Sequence, residues 1–198
     1  MKDLIFLVDF DRTITMNDST DELMNQYNPQ MVEEYQKSFR RGDLRVREYI
    51  KGLLESLKIT KDEYKEAVTK NLIIDPDFKK FIELGYEMRI VSAGTYENIL
   101  PNFEKEGIDI PVEHIYSNKL TFNEDNIEIN FPFDNEDSDE GICKKTILLK
   151  YKNRYKKVYK KLKDFEDYII SLGVDTSLAG RFEKSTYKPF ELMDKQEV

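Results

Sequence analysis

The stretch "LIFLVDFDRTIT" (residues 4–15) decides how the rest of the chain is read. Its first five residues are apolar and run straight into Asp9 and Asp11, with Thr13 and Thr15 close behind. An unbroken apolar run of this length suits a strand buried on both faces of a parallel sheet. Packing gives such a strand no reason to end in Asp-Phe-Asp. Two acids separated by one residue on an extended segment project to the same side. Like charges that close raise each other's proton affinity unless a cation is shared between them. Mg2+, which prefers carboxylate and phosphate oxygens, resolves that conflict. A polar strand end with Thr13 capping a turn is the plainer alternative.

Downstream of this stretch the periodicity becomes helical from Asp18 to about Lys70. Leu23, Met24, Tyr27 and Met31 predict one helix ended near Asn28-Pro29, and Val32, Tyr35 and Phe39 a second. Val46, Tyr49, Ile50, Leu53, Leu54 and Leu57 follow the i, i+3, i+4 spacing of a third helix. Thr60 ahead of Glu63 is a capping box that opens a fourth. Residues 17–71 thus read as a helical cap inserted into a core built from 1–16 and 72–198. After the insertion, 77–84 is a predicted helix closed by Gly85. "YEMRIVSAGT" (86–95) is a strand, 96–106 a helix, and "VEHIYSN" (112–118) a third strand carrying His114. "KLTFNEDNIEINF" (119–131) reads as a hairpin turning at Glu124-Asp125-Asn126, and 143–155 as a helix. The order predicts an α/β fold with a doubly wound parallel sheet and a small helical cap inserted after the first strand.

At 198 residues the chain has the length of one ordinary domain or one domain with an insertion. No apolar run approaches the roughly 20 residues of a membrane span. The run at 4–8 is too short for a signal peptide and has no small-residue cleavage site. The single cysteine, Cys143, leaves no internal disulfide framework and fits a reducing compartment. A cytoplasmic protein, monomer or homodimer, is the simplest expectation. The net charge is −8, but residues 124–140 are acidic without a base while 144–163 carry ten Lys or Arg without an acid. A nucleic-acid patch is one reading of the basic stretch; a solvated helix face is the other. The overall acidity and the absence of Trp favour the second, so neither nucleic acid nor membrane is expected as a partner.

In a doubly wound sheet, ligands bind at the carboxyl ends of the strands. Asp9 and Asp11 end the first strand and Ser92 ends the second, so all three face one crevice. Ser92 also reads as a helix N-cap. "LVDFDRTIT" resembles the first motif, D-x-D-x-T after an apolar strand, of the haloacid dehalogenase-like superfamily. That resemblance implies Asp9 as a nucleophile forming an aspartyl-phosphate. It implies Asp11 as the acid that protonates the leaving alcohol and then the base that activates water. The Phe10 carbonyl is expected to join Asp9 and Asp11 on Mg2+. "IVSAGT" (90–95) resembles the second motif: Ser92 would donate to phosphoryl oxygens, and the Ala93 and Gly94 amides, at a helix N-terminus, would suit an anion. "GICKKTIL" (141–148) resembles the third, with Lys144 neutralising the nucleophile and phosphoryl charge and Lys145 as the fallback.

The helical insertion and the run from "VEHIYSNKLTF" to "GICKKTIL" are similar to the phosphoserine phosphatase-like branch, and within it to the phosphatases of methionine salvage. The resemblance covers roughly residues 1 to 159. It implies a small phosphorylated metabolite as substrate, with Arg40, Arg41, Arg45 and Arg47 of the cap as candidate selectivity residues. Position 12 is Arg where the family often has Gly. The fourth motif, G-D-x-x-x-D after a strand, is due beyond "KKVY" (156–159), where the chain continues "KKLKDFEDYIISLGVDTSLAGRF". In one reading 168–172 is the strand and Asp175 serves the metal. In the other, Val158, Leu162, Phe165, Ile169 and Leu172 form a helical stripe ended by Gly173, which leaves the metal short of ligands. The second spacing is the better one. It carries an alternative function, a catalytically impaired binding or regulatory protein with a degraded fourth motif.

Overall fold

The apolar run at the N-terminus becomes β1 (Lys2–Val8), flanked on one side by β2 (Met88–Thr95) in parallel register, Phe6 opposite Met88 and Val8 opposite Ile90. The computed structural model describes residues 2–159 apart from 125, 136, 137 and 153. Within these, β3 (Ile115–Asn123) extends the parallel sheet, β4 (Asn126–Asn130) pairs antiparallel with β3, and β5 (Tyr155–Tyr159) lies on the far side of β1. The strand order is β4-β3-β2-β1-β5. Because β1 and β2 run the same way, the residues after Val8 and the end of β2 emerge at one edge of the sheet.

The four expected helices of the insertion form as α1 (Ser19–Tyr27), α2 (Pro29–Arg41), α3 (Val46–Glu55) and α4 (Lys61–Lys70). Their limits follow local chemistry. Asp18 caps α1 by accepting from the Thr20 and Asp21 amides. Pro29 sits at the first position of α2, where its missing N–H costs nothing. Gly42, with φ of 81°, ends α2 in the left-handed conformation. Thr60 and Glu63 cap each other reciprocally at the start of α4. Leu23, Leu53, Leu54 and Tyr64 of these helices share one buried cluster with Leu120, Ile127 and Ile129 of the β3–β4 hairpin. Burial of each such side chain stabilises by about 1.5–3 kcal/mol. After the insertion come α5 (Pro76–Glu83), α6 (Tyr96–Lys105) and α7 (Lys144–Lys152).

Several sequence expectations are corrected. The third strand and the first arm of the hairpin are one continuous strand, β3, because its N-terminal half pairs with β2 and its C-terminal half with β4. His114 lies in a 3-10 turn, Val112–His114, just ahead of that strand. The helix expected to reach residue 155 ends at Lys152, and Tyr155 starts β5. Val158 therefore belongs to a strand and not to a helical stripe. Edge pairing to β1 outweighed a helical spacing that the rest of the stripe only suggested. Leu162, Phe165, Ile169, Leu172 and Gly173, and the alternative strand at 168–172 with Asp175, lie outside the described residues.

Candidate active site

The chain leaves β1 at Val8 and folds back on itself at once. The Phe10 carbonyl accepts from the Thr13, Ile14 and Thr15 amides at 3.2, 2.9 and 3.1 Å and from the Thr15 hydroxyl at 3.2 Å. Phe10 itself is fully buried. This tight loop stands Asp9 and Asp11 at the sheet edge, and it corrects one expectation. The Phe10 carbonyl is taken up by the loop and is not turned out towards a metal. Arg12 adopts φ of 57°, the left-handed region in which a non-glycine residue is strained by roughly 1–2 kcal/mol. That is the physical reason for glycine at this position in the family resemblance. The Arg12 guanidinium reaches Asp21 Oδ2 at 3.3 Å. Asp21 is further held by Gln36 Nε2 at 2.9 Å and by the Tyr49 hydroxyl.

Asp11 is enclosed between two walls. Its Oδ1 accepts from the Ser19 amide at 2.7 Å, at the first turn of α1. Its Oδ2 faces Gly94: a Cβ placed there would lie 2.9 Å from it and 3.2 Å from Ser92 Oγ. Only glycine fits that approach. Burial, the neighbouring Asp18 charge and the Asp9 charge push the Asp11 carboxyl up to about 8, against the lowering effect of the hydrogen bonds from the Ser19 hydroxyl and amide. Burial and Asp21 likewise raise Asp18 to about 6. A carboxyl that exchanges its proton near neutral pH suits general acid–base work.

Ser92 is fully buried and accepts from the Gly94 amide at 3.0 Å, which leaves its own O–H to donate. The expectation that Ala93 and Gly94 sit at a helix N-terminus is corrected. Both belong to β2, whose register with β3 shifts between Val91 and Thr95, and the N-cap of α6 is Thr95. Side chains of β3 carry the pairing across the irregularity: Asn118 donates to the Ala93 carbonyl at 2.6 Å and Ser117 to the Gly94 carbonyl at 2.8 Å. Ser92 is therefore not the helix cap, and the Gly94 amide is engaged by Ser92.

Lys144, at the start of α7, brings the third motif to the first. Its Nζ lies 3.4 Å from Asp9 Oδ2 and 3.0 Å from Glu140 Oε2. Burial works against its charge, but Asp9 and Glu140 outweigh that and hold its pKa above the ordinary lysine value. Lys145 is exposed. The loop before α7 is held by Cys143 N–H on the Phe133 carbonyl at 2.8 Å, and by Gly141 (φ 70°), where a Cβ would strike the Phe131 ring at 2.1 Å.

Three of the four cap arginines expected to select substrate form ion pairs among the described residues. Arg41 pairs with Asp43 at 2.7 Å and Arg45 with Glu48 at 2.9 Å. Arg47 pairs with Asp134 and lies 4.5 Å over the Phe131 ring. Arg40 is exposed on α2. Sequence reasoning missed Ser19, Glu140 and Asn98. The last had a visible signal: Asn98 and Asn102, four residues apart, share a helical stripe with Ile99 and Phe103, and all four are buried.

Among the described residues no group of three or more His, Cys, Asp or Glu is arranged to hold a metal ion. The partly exposed Asp9 carboxylate nevertheless fits the way Mg2+ is commonly bound, through one or two carboxylates plus substrate phosphate and water.

No protein-family model matches the chain. It is 27% identical over 181 residues to the bifunctional enzyme MtnB/MtnX of Bacillus licheniformis, an alignment covering 87% of this chain and 39% of that protein. It is 27% identical over 173 residues to the 2-hydroxy-3-keto-5-methylthiopentenyl-1-phosphate phosphatase of Bacillus cereus, covering 83% of this chain and 73% of the relative. Among solved structures, a phosphoserine phosphohydrolase-like protein of Francisella tularensis superposes with a TM-score of 0.55 at 25% identity, covering 75% of this chain and 74% of that one. A HAD family hydrolase of Salmonella enterica superposes with a TM-score of 0.57 at 15% identity, covering 88% and 54%. No helix among the described residues is long and apolar enough to cross a membrane.

Proposed function

We propose that this chain, haloacid dehalogenase-like in fold and akin in sequence to the methionine-salvage phosphatases, hydrolyses a small phosphomonoester. The observation that carries the reading is the convergence of three separate segments on one pair of acids. Lys144 lies 3.4 Å from Asp9, the Ser19 amide 2.7 Å from Asp11, and Gly94 is packed against the other Asp11 oxygen.

In this reading Asp9 Oδ2 attacks the phosphorus of the substrate, and the bond to the ester oxygen breaks. The leaving oxygen takes the proton of Asp11, which the burial of that carboxyl keeps available near neutral pH. Asp11 then removes a proton from water as the water oxygen attacks the phosphoryl group on Asp9. Inorganic phosphate leaves and the Asp9 carboxylate is restored. Lys144 offsets charge at Asp9, and the buried Ser92 hydroxyl is placed to donate to a phosphoryl oxygen. Asp9 would hold Mg2+ together with the substrate phosphate, and the ion would supply charge neutralisation between nucleophile and phosphate; the Asp11 carboxyl, closed between Ser19 and Gly94, is left to carry the proton. Whether Asp175 completes that set falls outside the described residues. Residues 17–71 would act as the cap that selects the leaving group, over a core of 1–16 and 72–198.

The test is a panel of phosphorylated metabolites, 2-hydroxy-3-keto-5-methylthiopentenyl-1-phosphate and phosphoserine first among them, assayed with and without Mg2+. Metal-dependent turnover that falls by about 10⁴-fold or more in Asp9→Asn supports the reading. No turnover, with no rise in melting temperature on adding Mg2+ and phosphate, overturns it and favours a binding or regulatory role.

A further inference from the structure

We infer that Asn98 is a positioning residue for Asp11, setting the spacing of the two walls that enclose its carboxyl. The inference rests on the phosphatase reading above. Asn98 lies in the first turn of α6 with no solvent exposure. Its amide is satisfied at both ends by groups from three different segments. Nδ2 donates to Ser19 Oγ at 2.8 Å and to Thr20 Oγ1 at 3.3 Å, both on α1. Oδ1 accepts from Thr95 Oγ1 at 3.0 Å, at the end of β2, and from the Tyr64 hydroxyl of α4.

Two of those segments are the walls of Asp11. Ser19, held through its side chain by Asn98, is the residue whose backbone N–H meets Asp11 Oδ1 at 2.7 Å. Thr95 follows directly on Gly94, the residue packed against Asp11 Oδ2. Asn98 therefore ties the start of α1 to the end of β2 across the acid that lies between them. The Tyr64 bond ties the same point to α4, a helix of the insertion. An apolar side chain of similar shape would fill the same space, so volume alone does not call for an amide here. A buried amide is disfavoured by a few kcal/mol unless it is bonded, whereas a fully bonded network fixes one arrangement. Proton transfer is directional, and displacement of a reacting group by about 1 Å costs on the order of 100-fold in rate.

The test uses leaving-group dependence. An alkyl phosphate releases a strongly basic alkoxide and needs the proton of Asp11. 4-Nitrophenyl phosphate releases a weakly basic phenolate and needs it little. Asn98→Leu keeps the branching and the number of side-chain heavy atoms and removes all four bonds. Asn98→Ala is the second variant, removing the same four bonds without adding bulk and leaving the Ser19 contacts to Asp11 in place. The expected result is a kcat loss of about 10²-fold on the best alkyl phosphate of the panel. On 4-nitrophenyl phosphate the loss should stay within a few-fold, with KM changed less than about twofold on either. Equal losses on both substrates, or none on either, overturn the inference while leaving the phosphatase reading intact. If Asn98→Leu does not fold, Asn98→Ala decides by the same ratio. A wild-type chain that hydrolyses neither compound fails the functional reading, and the inference falls with it.

Discussion

The two acids of the site are held by opposite kinds of structure. Asp11 sits between the Ser19 amide and Gly94, backed by Asn98 and Ser92, both without solvent exposure. Asp9 has a side chain 42% exposed and is met by Lys144 at 3.4 Å, itself braced by Glu140 at 3.0 Å. One wall is a buried hydrogen-bond network, the other a chain of ion pairs whose Asp9 end is open to solvent. The difference follows the chemistry proposed for each. Hydrogen bonds weaken steeply with angle, so a proton donor needs a fixed direction. Coulombic energy falls only as the inverse of distance, so a charge partner tolerates a looser seat.

That contrast can be broken most sharply at Gly94. Gly94→Ala places a Cβ against the Asp11 carboxylate and Ser92 Oγ; kcat on an alkyl phosphate should fall by about 10²–10³-fold in steady-state assays. On the looser wall, Lys144→Met should cost about 10²-fold in kcat/KM. Lys144→Arg should recover part of that loss because only the charge is required there. A loss in Lys144→Arg as large as in Lys144→Met would show that this wall is geometric too.

The third prediction reads the buried acids through stability. Asp11 is raised from 3.8 to about 8 and Asp18 from 3.8 to about 6. Between those limits the folded chain binds more protons than the unfolded one, so stability falls as pH rises through the window. The metal-free protein should therefore gain melting temperature as pH is lowered from 8 to 5, by roughly 3–8 °C in a thermal scan. Asp11→Asn should flatten the upper part of that slope. Mg2+ added at pH 8 should return part of the stability to the wild type and less to the variant. A flat profile for the metal-free wild type would remove the case for Asp11 as a neutral-pH acid.

The smallest effect is expected at Arg12. Its left-handed backbone is strained by about 1–2 kcal/mol, against a partly exposed ion pair with Asp21 worth about 0–1 kcal/mol. Arg12→Gly relieves the strain but adds freedom to the unfolded chain. The melting temperature should move by less than about 3 °C. A larger drop would place Arg12 among the residues that hold the Asp21 cluster together.

Legibility in the sequence followed the range of the interaction. Residues 4–8 gave a strand because an unbroken apolar run needs cover on both faces, which is a local property. The capping box at Thr60 and Glu63 and the break at Asn28-Pro29 were equally local, and both appear where expected. The helix limit near 152 was missed because β5 owes its strand to a neighbour, β1, more than 140 residues away in the chain. The Phe10 carbonyl was misread because its partners are the amides of the loop that follows, and a loop of this kind leaves no periodic signature.

Read alone, the sequence determined the first two strands, the helical insertion between them and the pair of acids at the end of the first strand. Each of these is written in periodicity, caps and composition along the chain. The tertiary structure alone decided which oxygen of Asp11 faces Ser19 and which faces Gly94, and that Lys144 and not Lys145 reaches Asp9. It also decided that a buried asparagine on α6 joins α1, β2 and α4 around the same carboxyl. Those are distances between segments far apart in the chain, and only the packing of one element on another sets them.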